Sequence, residues 1–514
     1  MLDKLIKQLK GYIQPEWRLA FISTFIIGLL THFYVFINRL PNHDGMYNIY
    51  SSQAKVTSGR FFLGPASGLS SYFDLPWING IFSVFFLALT AVCIVALFKL
   101  KQKVPIILVS GIIVTFPSVS STFAYMFTAD GYMVGTFLTI LGILLTKRYK
   151  YGFVAGAITL MLGVGIYQAN ISVALGFITL YLISTILFEE NDGKQIWNYI
   201  VRFALMTGIG MGLYLVVYKF YTNLFQGEIT SYQGLDKVGK ISISDIPHRY
   251  QDIKASIKEF FFHSIYAYDQ YNFHEMLNIA IISLIVVATI TWIVTKKVYK
   301  KPGQLLVLAL LGVTLPFSYY IVYFISLEAE YHMLMVFSLT TVYIYLAIMA
   351  DKIDVGEVMR WDYLSGLLTT ILLGAMIVNF AIIANIAYMN MELRYEKSMH
   401  LANRVLERIE RLEVYDEVEK IGVVGRAPLY TKLTSETIPR QIPRMVGTTG
   451  ETFLAESEHY QKAFENFFGY SIRSASPDEV AQIKELEAFK EMPIWPSEKS
   501  IQVFDGIVIV KFVE

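Results

Sequence analysis

The chain has 514 residues, of which 54% are hydrophobic and only 17% are charged. Soluble globular proteins usually carry about a quarter of charged residues, so this composition excludes a soluble enzyme. Apolar runs of about twenty residues, the length that crosses the hydrocarbon core of a bilayer, recur along most of the sequence. The sequence therefore predicts an α-helical polytopic membrane protein.

About eleven membrane spans are predicted, each an apolar run of roughly 17 residues or more between polar breaks. Two of these runs are nearly continuous and are separated only by a short polar break. In chain order the predicted spans are 17–37, 76–98, 104–121, 129–146, 152–167, 170–188, 200–224, 276–295, 304–325, 332–350 and 363–388.

Short basic loops define the orientation of the spans, because lysine and arginine are retained on the cytoplasmic side of a membrane. The loops at 99–103, 147–150 and 296–301 fall on the same side as the basic N-terminus when the spans are counted. The mixed-charge loop at 351–362 falls there by the count alone. The N-terminus is therefore predicted to be cytoplasmic, and an odd number of spans places the C-terminal domain outside.

Residues 389–514 differ in charge from the rest of the chain. They carry 16 Lys and Arg against 21 Asp and Glu, whereas residues 1–388 carry 27 and 21. This contrast predicts a transmembrane domain over 1–388 and a small extracytoplasmic α/β domain over 389–514, with a type I′ hairpin signal at Asp505-Gly506. Nothing in the charge distribution indicates a nucleic-acid partner.

Two predicted external loops are long, 38–75 and 225–275, and both mix charges with aromatic residues. In the second loop, apolar residues recur at spacings of three and four over 245–263. This spacing predicts a helix on the membrane surface. Loops of this kind can form the roof of a cavity at the interface.

Carboxylates close to the outer face are informative in the transmembrane domain, because an unpaired charge near lipid is expensive. Asp44, Asp74 and Asp130 are predicted at that face. Asp44 and Asp130 each adjoin a glycine, and each taken alone is more typical of a turn or a helix cap. Since both are predicted at the same face, we interpret them as parts of one site.

Arg60 follows a glycine and precedes two phenylalanines in the first external loop. A guanidinium group there is suited to binding a lipid phosphate through two parallel hydrogen bonds, and an interfacial cation that extends towards water fits equally well. Glu328, Glu330 and His332 occur together at the last short external loop, but their spacing matches no helical zinc motif.

Signatures of several other enzyme classes are absent from the sequence, which has no P-loop, no GxSxG elbow and no HExxH helix. The single cysteine, Cys93, excludes an internal disulfide. Gly208, Gly210 and Gly212 within one predicted span are interpreted as sites of close helix packing.

Short motifs are distributed along nearly the whole chain. They are Asn42-His43-Asp44-Gly45, Ser58-Gly59-Arg60, Pro76-Trp77, Asp130, Gly165-Ile166-Tyr167-Gln168, Met492-Pro493-Ile494-Trp495-Pro496 and Asp505-Gly506. In these motifs the sequence resembles the type II antigen-modifying, or serotype-converting, glucosyltransferases of bacterial membranes.

The resemblance implies a GT-C type glycosyltransferase, a multi-span enzyme with an outward-facing active site and a polyprenyl-phosphate sugar as donor. Enzymes of this type use an acidic residue of the first external loop, a position that Asp44 occupies in this sequence. The implied reaction moves a hexosyl residue, glucose or a related sugar, to a cell-surface polysaccharide outside the bacterial cytoplasmic membrane.

The predicted chemistry is a single displacement with inversion, in which Asp44 accepts the proton of the acceptor hydroxyl. Arg60 and His332 are predicted to bind the donor phosphate, because a phosphate leaving group needs cations more than a strong acid. Asp130 is predicted as a second catalytic residue that orients the acceptor or holds a divalent metal ion, and metal dependence stays undecided. Substrate binding is predicted for Asp74, Tyr167, Gln168, Glu328 and Glu330.

A transporter or flippase of lipid-linked sugars is the alternative, since many spans and an external cavity also suit transport. Transporters often contain internal repeats and charged residues at mid-bilayer depth. The sequence shows no repeat, and its carboxylates are predicted at one face, which favours an enzyme. A third interpretation gives the C-terminal domain a binding role in which it presents the acceptor polymer.

Overall fold

The computed structural model describes residues 13–189, 192–224, 245–267, 272–326, 329–353, 360–429, 445–450 and 452–513. Most of this part of the chain is α-helical, and a four-stranded sheet lies near its C-terminal end. The chain is thus a polytopic helical membrane protein with a small C-terminal sheet domain, as the sequence predicts.

In chain order, the described helices are α1 (Pro15–Ile37), α2 (His43–Tyr47), α3 (Leu63–Ser67), α4 (Pro76–Phe98), α5 (Lys103–Thr115), α6 (Pro117–Phe123), α7 (Met126–Arg148), α8 (Gly152–Ile166), α9 (Asn170–Phe188), α10 (Gly193–Leu224), α11 (Ile246–Ala267), α12 (Phe273–Thr295), α13 (Pro302–Tyr319), α14 (Thr340–Asp351), α15 (Arg360–Glu410), α16 (Ser457–Ala463), α17 (Pro477–Lys484) and α18 (Glu487–Lys490).

Within the described residues, nine helical segments are long and apolar enough to cross a membrane: α1, α4, α5 with α6, α7, α9, α10, α12, α13 and α15. The other two predicted spans correspond to shorter apolar segments, α8 and Phe337–Asp351. The predicted break near residue 168 is confirmed, because α8 ends at Ile166 and α9 begins only at Asn170. The predicted surface helix over 245–263 is also a helix, α11.

His32 joins three of the membrane helices in the centre of the bundle. It is fully buried, and its Nε2 donates to the carbonyl oxygen of Val114 in α5 at 2.8 Å. Its Nδ1 therefore accepts from the Tyr388 hydroxyl of α15 at 2.6 Å. Both ring nitrogens have protein partners, so His32 is a packing residue of α1.

The interpretation of the glycines in α10 as packing sites is correct for Gly210 and wrong for Gly208 and Gly212. A Cβ atom at Gly210 would lie 3.0 Å from the carbonyl oxygen of Ala157, whereas one at Gly208 or Gly212 would meet nothing within 4 Å. Residues four apart share a helix face and a residue midway between them lies on the other face. Only Gly210 therefore faces α8.

The short basic loops lie together at one end of the bundle. Lys99 Nζ is 2.9 Å from Glu189 Oε1, and Lys147 Nζ donates to the carbonyl oxygen of Leu97 at 3.2 Å. Lys352 Nζ donates to the carbonyl oxygen of Phe98 at 3.1 Å. The start of the loop at 351–362 therefore lies at the end where the span count places it.

Helix α15 crosses the predicted domain boundary at 388 without a break. It has 51 residues, which corresponds to about 75 Å at 1.5 Å per residue, more than twice the roughly 30 Å hydrocarbon core. The last membrane span and the first helix of the C-terminal domain are therefore one continuous helix.

The C-terminal sheet has the strand order β2-β1-β4-β3, with β1 (Lys420–Val424), β2 (Arg473–Ser474), β3 (Ile501–Phe504) and β4 (Ile507–Lys511). Strand β1 is parallel to β2 and β4, whereas β3 and β4 form an antiparallel hairpin. The hairpin turns through Asp505 and Gly506, with φ values of 44° and 75°. A type I′ turn requires positive φ at both positions, so this prediction is confirmed.

Candidate active site

A cavity of about 510 Å³ lies at the end of the bundle opposite the basic loops. Its walls come from the first external loop, α7, the turn between α8 and α9, α10 and the segment before α14. The cavity brings together five of the predicted site residues, which are Asp44, Arg60, Tyr167, Gln168 and His332.

Asp44 lies in the five-residue helix α2, which begins at a side-chain cap. The Oδ1 atom of Asn42 accepts a hydrogen bond from the backbone N–H of Gly45 at 2.9 Å, which satisfies one of the free amides of the first turn. The side chain of Asp44 is 47% exposed, and its Oδ2 lies 3.7 Å from Nε2 of His43. A substrate hydroxyl in the cavity can therefore reach this carboxylate.

Two cations are held side by side in a tight turn of the first loop. Lys55 and Arg60 form an antiparallel β-bridge, in which the backbone N–H of Arg60 donates to the carbonyl oxygen of Lys55 at 3.1 Å. Arg60 Nη1 also donates to the Tyr132 hydroxyl at 3.1 Å, and its guanidinium carbon lies 5.2 Å from the centre of the Tyr167 ring. Lys55 was not predicted, although it stands five residues before Arg60.

The turn between α8 and α9 packs against the turn that carries Lys55 and Arg60, called the cationic turn below. Helix α8 has 15 residues and rises about 22 Å, less than the roughly 30 Å hydrocarbon core, so a span that starts at the basic end of the bundle turns before it has crossed the core. Non-helical backbone at this depth is tolerated where it lines a cavity. Gln168 Nε2 donates to the carbonyl oxygen of Ser58 at 2.6 Å, and the ring of Tyr167 stacks on Tyr132 with a centroid distance of 4.7 Å.

Aromatic side chains of α10 complete the cavity wall, and the sequence did not reveal them. Tyr214 donates from its hydroxyl to the carbonyl oxygen of Gly59 at 3.2 Å, and Tyr218 lines the cavity beside it. Aromatic walls with a few well-placed polar groups are typical of small-molecule sites. A tyrosine within an apolar span has the same pattern whether it packs or binds, so no signal in the sequence separates the two.

Gly59→Ala is expected to lower the midpoint of thermal unfolding. Gly59 has a φ of +69°, which disfavours alanine by roughly 1–2 kcal/mol, and a Cβ atom would lie 2.8 to 2.9 Å from atoms of Tyr214, Gln168 and Tyr218. Thermal unfolding in detergent measures the effect. The matched control is Gly208→Ala, which meets no neighbour, and an unchanged midpoint for Gly59→Ala would contradict the packing of this turn.

Comparison with known proteins gives one match. A family model described as glucosyl transferase GtrII matches residues 33–350, which is more than half of the chain. The chain belongs to this glucosyltransferase family. The match contains every residue that lines the cavity except Val446, and it confirms the resemblance in the sequence motifs. Comparison with curated proteins found no match, and neither did comparison with solved structures.

Membership of the GtrII family indicates a glycosyltransferase in a membrane environment, with a sugar donor and an acceptor as its substrates. Such an enzyme needs a space in which two substrates meet. The cavity at the first external loop lies within the matched segment and is lined by one accessible carboxylate, two cations and several aromatic rings.

The structure places Asp130 and Asp74 outside the cavity. Asp130 is 1% exposed, and its carboxylate accepts hydrogen bonds from the Ser70 hydroxyl and from the backbone N–H of Gly131. Asp74 has a side chain that is 4% exposed and lies 3.8 Å from Arg39. Both carboxylates contact residues of the first loop or of its neighbourhood, and the catalytic role of Asp130 and the substrate-binding role of Asp74 stay predictions.

The remaining predicted residues lie on the segment before α14. Glu330 is exposed and does not line the cavity, although His332, two positions later, does. Glu328 lies outside the described residues. Among the residues that the structure describes, no three His, Cys, Asp or Glu side chains are grouped to hold a metal ion.

Stability is expected to fall by up to about 3 kcal/mol between pH 4 and pH 6 because of Asp74. Burial raises the pKa of Asp74 from 3.8 to about 6, although the nearby Arg39 acts in the opposite direction. The folded state binds this proton more tightly than the unfolded chain. The stabilisation is therefore complete below about pH 4 and is lost as the pH rises through about 6.

Thermal unfolding of the wild type and of Asp74→Asn across this pH range tests the expectation. The asparagine cannot ionise, so the variant should lose this part of the pH dependence. Asp478→Asn, the same change at an exposed position of α17, is the control and should follow the wild type. Parallel curves for wild type and Asp74→Asn would show that Asp74 titrates alike in the folded and unfolded states.

Proposed function

We propose that this glucosyltransferase is of the GT-C type. In this proposal it moves a hexosyl residue, glucose or a related sugar, from a polyprenyl-phosphate donor to a cell-surface polysaccharide at the outer face of the bacterial cytoplasmic membrane. The observation that carries the proposal is that Asp44, Lys55 and Arg60 line one cavity of about 510 Å³. The carboxylate suits the acceptor hydroxyl, and the two cations suit the donor phosphate.

A lipid-linked donor is favoured by the position of the cavity against α10. Leu215 of this helix lines the cavity and is also 52% exposed, on a span that is mostly unburied. The edge of the cavity therefore reaches a surface that membrane lipids contact. A donor carried by a polyprenyl chain can enter along this edge without leaving the bilayer.

In the proposed reaction, Asp44 accepts the proton of the acceptor hydroxyl while that oxygen attacks the anomeric carbon of the donor sugar. A new bond forms between the acceptor oxygen and the anomeric carbon. The bond between this carbon and the phosphate oxygen breaks, and polyprenyl phosphate leaves with the bonding electrons. Attack from the side opposite the phosphate inverts the anomeric configuration.

The leaving phosphate gains a negative charge in this step, and the cationic turn is placed to stabilise it. The planar guanidinium of Arg60 can bind two phosphate oxygens, and Lys55 adds a point charge beside it. Arg60 is itself oriented by Tyr132 and Tyr167. His332 lines the same cavity and is the second candidate for contact with the phosphate.

The proposed orientation has the N-terminus in the cytoplasm and the C-terminal domain outside. The basic short loops lie at one end of the bundle, and lysine-rich loops are retained on the cytoplasmic side. The cavity and the C-terminal domain lie at the other end. A cell-surface acceptor is then on the same side as the site.

The proposal is tested with purified protein in nanodiscs, a panel of polyprenyl-phosphate hexoses, a panel of nucleotide sugars and a crude polysaccharide acceptor. Release of free polyprenyl phosphate is followed with and without the acceptor. Acceptor-dependent release from one of the lipid donors is the expected result. Transfer from a nucleotide sugar alone would reject the lipid donor, and movement of a labelled lipid-linked sugar across a vesicle without transfer would favour a transporter.

A further inference from the structure

Helix α2, which carries Asp44, is anchored in the C-terminal domain. Met46 of this helix is 1% exposed and belongs to the apolar cluster of that domain, not to the apolar cluster of the membrane bundle. Its cluster includes Leu401 and Val405 of α15 and Tyr460 of α16. Met46, two residues after the candidate base, is therefore a core residue of a domain that lies roughly 400 positions later in the sequence.

A second contact involves the first and the last residue of α2. The ring of Tyr47 lies 5.1 Å from the imidazole of His459 in α16, and His43 lies 6.4 Å from the same ring. The imidazole is itself held, because its Nδ1 accepts a hydrogen bond from the backbone N–H of Glu456 at 3.1 Å. The face that α16 presents to α2 is thus fixed.

A third contact reaches the cap of α2. A Cβ atom at Gly447 would lie 3.2 Å from Nδ2 of Asn42, the capping residue, and 2.9 Å from the ring of Tyr125. Val446, the residue before it, lines the cavity. The segment Met445–Gly450 therefore lies over both the cap and the cavity.

Side chains of helix α15 clamp the backbone of this segment. Arg394, which is buried, donates from Nη1 to the carbonyl oxygen of Thr449 at 2.7 Å and from Nη2 to that of Gly447. Asn390 donates to the carbonyl oxygen of Thr448. Three consecutive carbonyl groups are thus satisfied by one helix.

We propose that the C-terminal domain is the positioning element of Asp44, acting through Met46, His459 and the Arg394-clamped segment. A five-residue helix is too short to persist by itself, so its packing partners decide where its side chains lie. Apart from the bundle residues beside it, those partners come from 390–512, beyond the family-matched segment. This inference rests on the proposed role of Asp44 as the base.

The test compares Met46→Ala with the volume-conserving Met46→Leu. We expect Met46→Ala to lower kcat by about 10- to 100-fold, because a small displacement of a catalytic group has effects of this size. The KM for the lipid donor should stay within about twofold, since Lys55 and Arg60 are untouched. Met46→Leu should restore most of kcat.

The matched control is Met492→Ala. Met492 is equally buried in the C-terminal domain, but it belongs to a separate apolar cluster on the other face of the sheet. Its truncation removes the same atoms from the same domain without touching α2. We expect kcat to stay close to the wild-type value.

A second readout does not depend on activity. Hydrogen exchange of the backbone amides of 45–48 should be faster in Met46→Ala than in the wild type and unchanged in Met492→Ala, with all proteins eluting as intact monodisperse species. Unchanged exchange and kcat in Met46→Ala, or equal losses in both alanine variants, would overturn the inference. If the wild type transfers no sugar but exchange responds as expected, the docking of α2 stands and the proposed function fails.

Discussion

Replacing Asp44 by Asn is expected to lower kcat by about 10²- to 10⁴-fold, the usual contribution of a general base. Asparagine has the same shape but cannot accept the proton of the acceptor hydroxyl. The carboxylate is half exposed and caps no helix, so its loss should leave the fold intact. Single-turnover transfer with saturating lipid donor and acceptor measures the change.

The control for this change is Asp192→Asn, the same substitution at the basic end of the bundle, where the side chain of Asp192, just before α10, accepts from the Gln195 N–H. It should transfer at the wild-type rate. Asp44→Asn should also bind the donor as the wild type does, because the phosphate contacts are made by other residues. Normal turnover in Asp44→Asn would show that another group accepts the proton.

The double substitution Lys55→Met and Arg60→Met is expected to lower kcat/KM for the lipid donor by about 10²- to 10³-fold or more. The proposed donor is a phosphodiester with one negative charge, whereas the leaving phosphate acquires a second. Both cations therefore bind the transition state more tightly than the ground state, and kcat should fall together with the rise in KM.

Arg60→Lys separates charge from geometry at the same position. Lysine keeps the positive charge but loses the planar fork that binds two oxygens, so a partial loss is expected. Lys101→Met removes an exposed cation at the opposite end of the bundle and should have no effect on kcat/KM. If the double variant retained its kcat/KM, the donor phosphate would be bound elsewhere, and His332 would be the next residue to change.

The fold was largely predictable because its signals are local. An apolar run defines a span wherever it occurs, and Asp505-Gly506 specifies a turn by the φ values that these two residues tolerate. The continuous helix α15 was not predicted, since the change in charge near 388 marks a change of solvent and does not mark the end of a helix. The backbone hydrogen bonds of a helix form equally in lipid and in water, so α15 continues through the change of solvent.

The cavity contains part of the predicted site, because the sequence shows which loop a residue belongs to but not the direction of its side chain. Asp44 and Arg60, which line the cavity, were predicted because a charged side chain close to lipid is costly unless it has a partner or a function. Asp130 lies outside the cavity because the direction of a side chain depends on the rotation of its helix, and its carboxylate is bound by Ser70 and Gly131. Met46 gave no usable signal, since its packing partners lie more than 350 residues later.

The packing of Met46 has a consequence for the order in which the enzyme is made. Met46 emerges from the ribosome before most of the spans, whereas the other buried members of its apolar cluster, between 401 and 512, emerge after the last described span has begun. The membrane helices can insert one after another, but Met46 of α2 cannot join its apolar cluster until the C-terminal domain has been made. Under the proposed role of Asp44, competence for transfer is therefore acquired only once the C-terminal domain has folded, and a chain that ends at 388 should be catalytically silent.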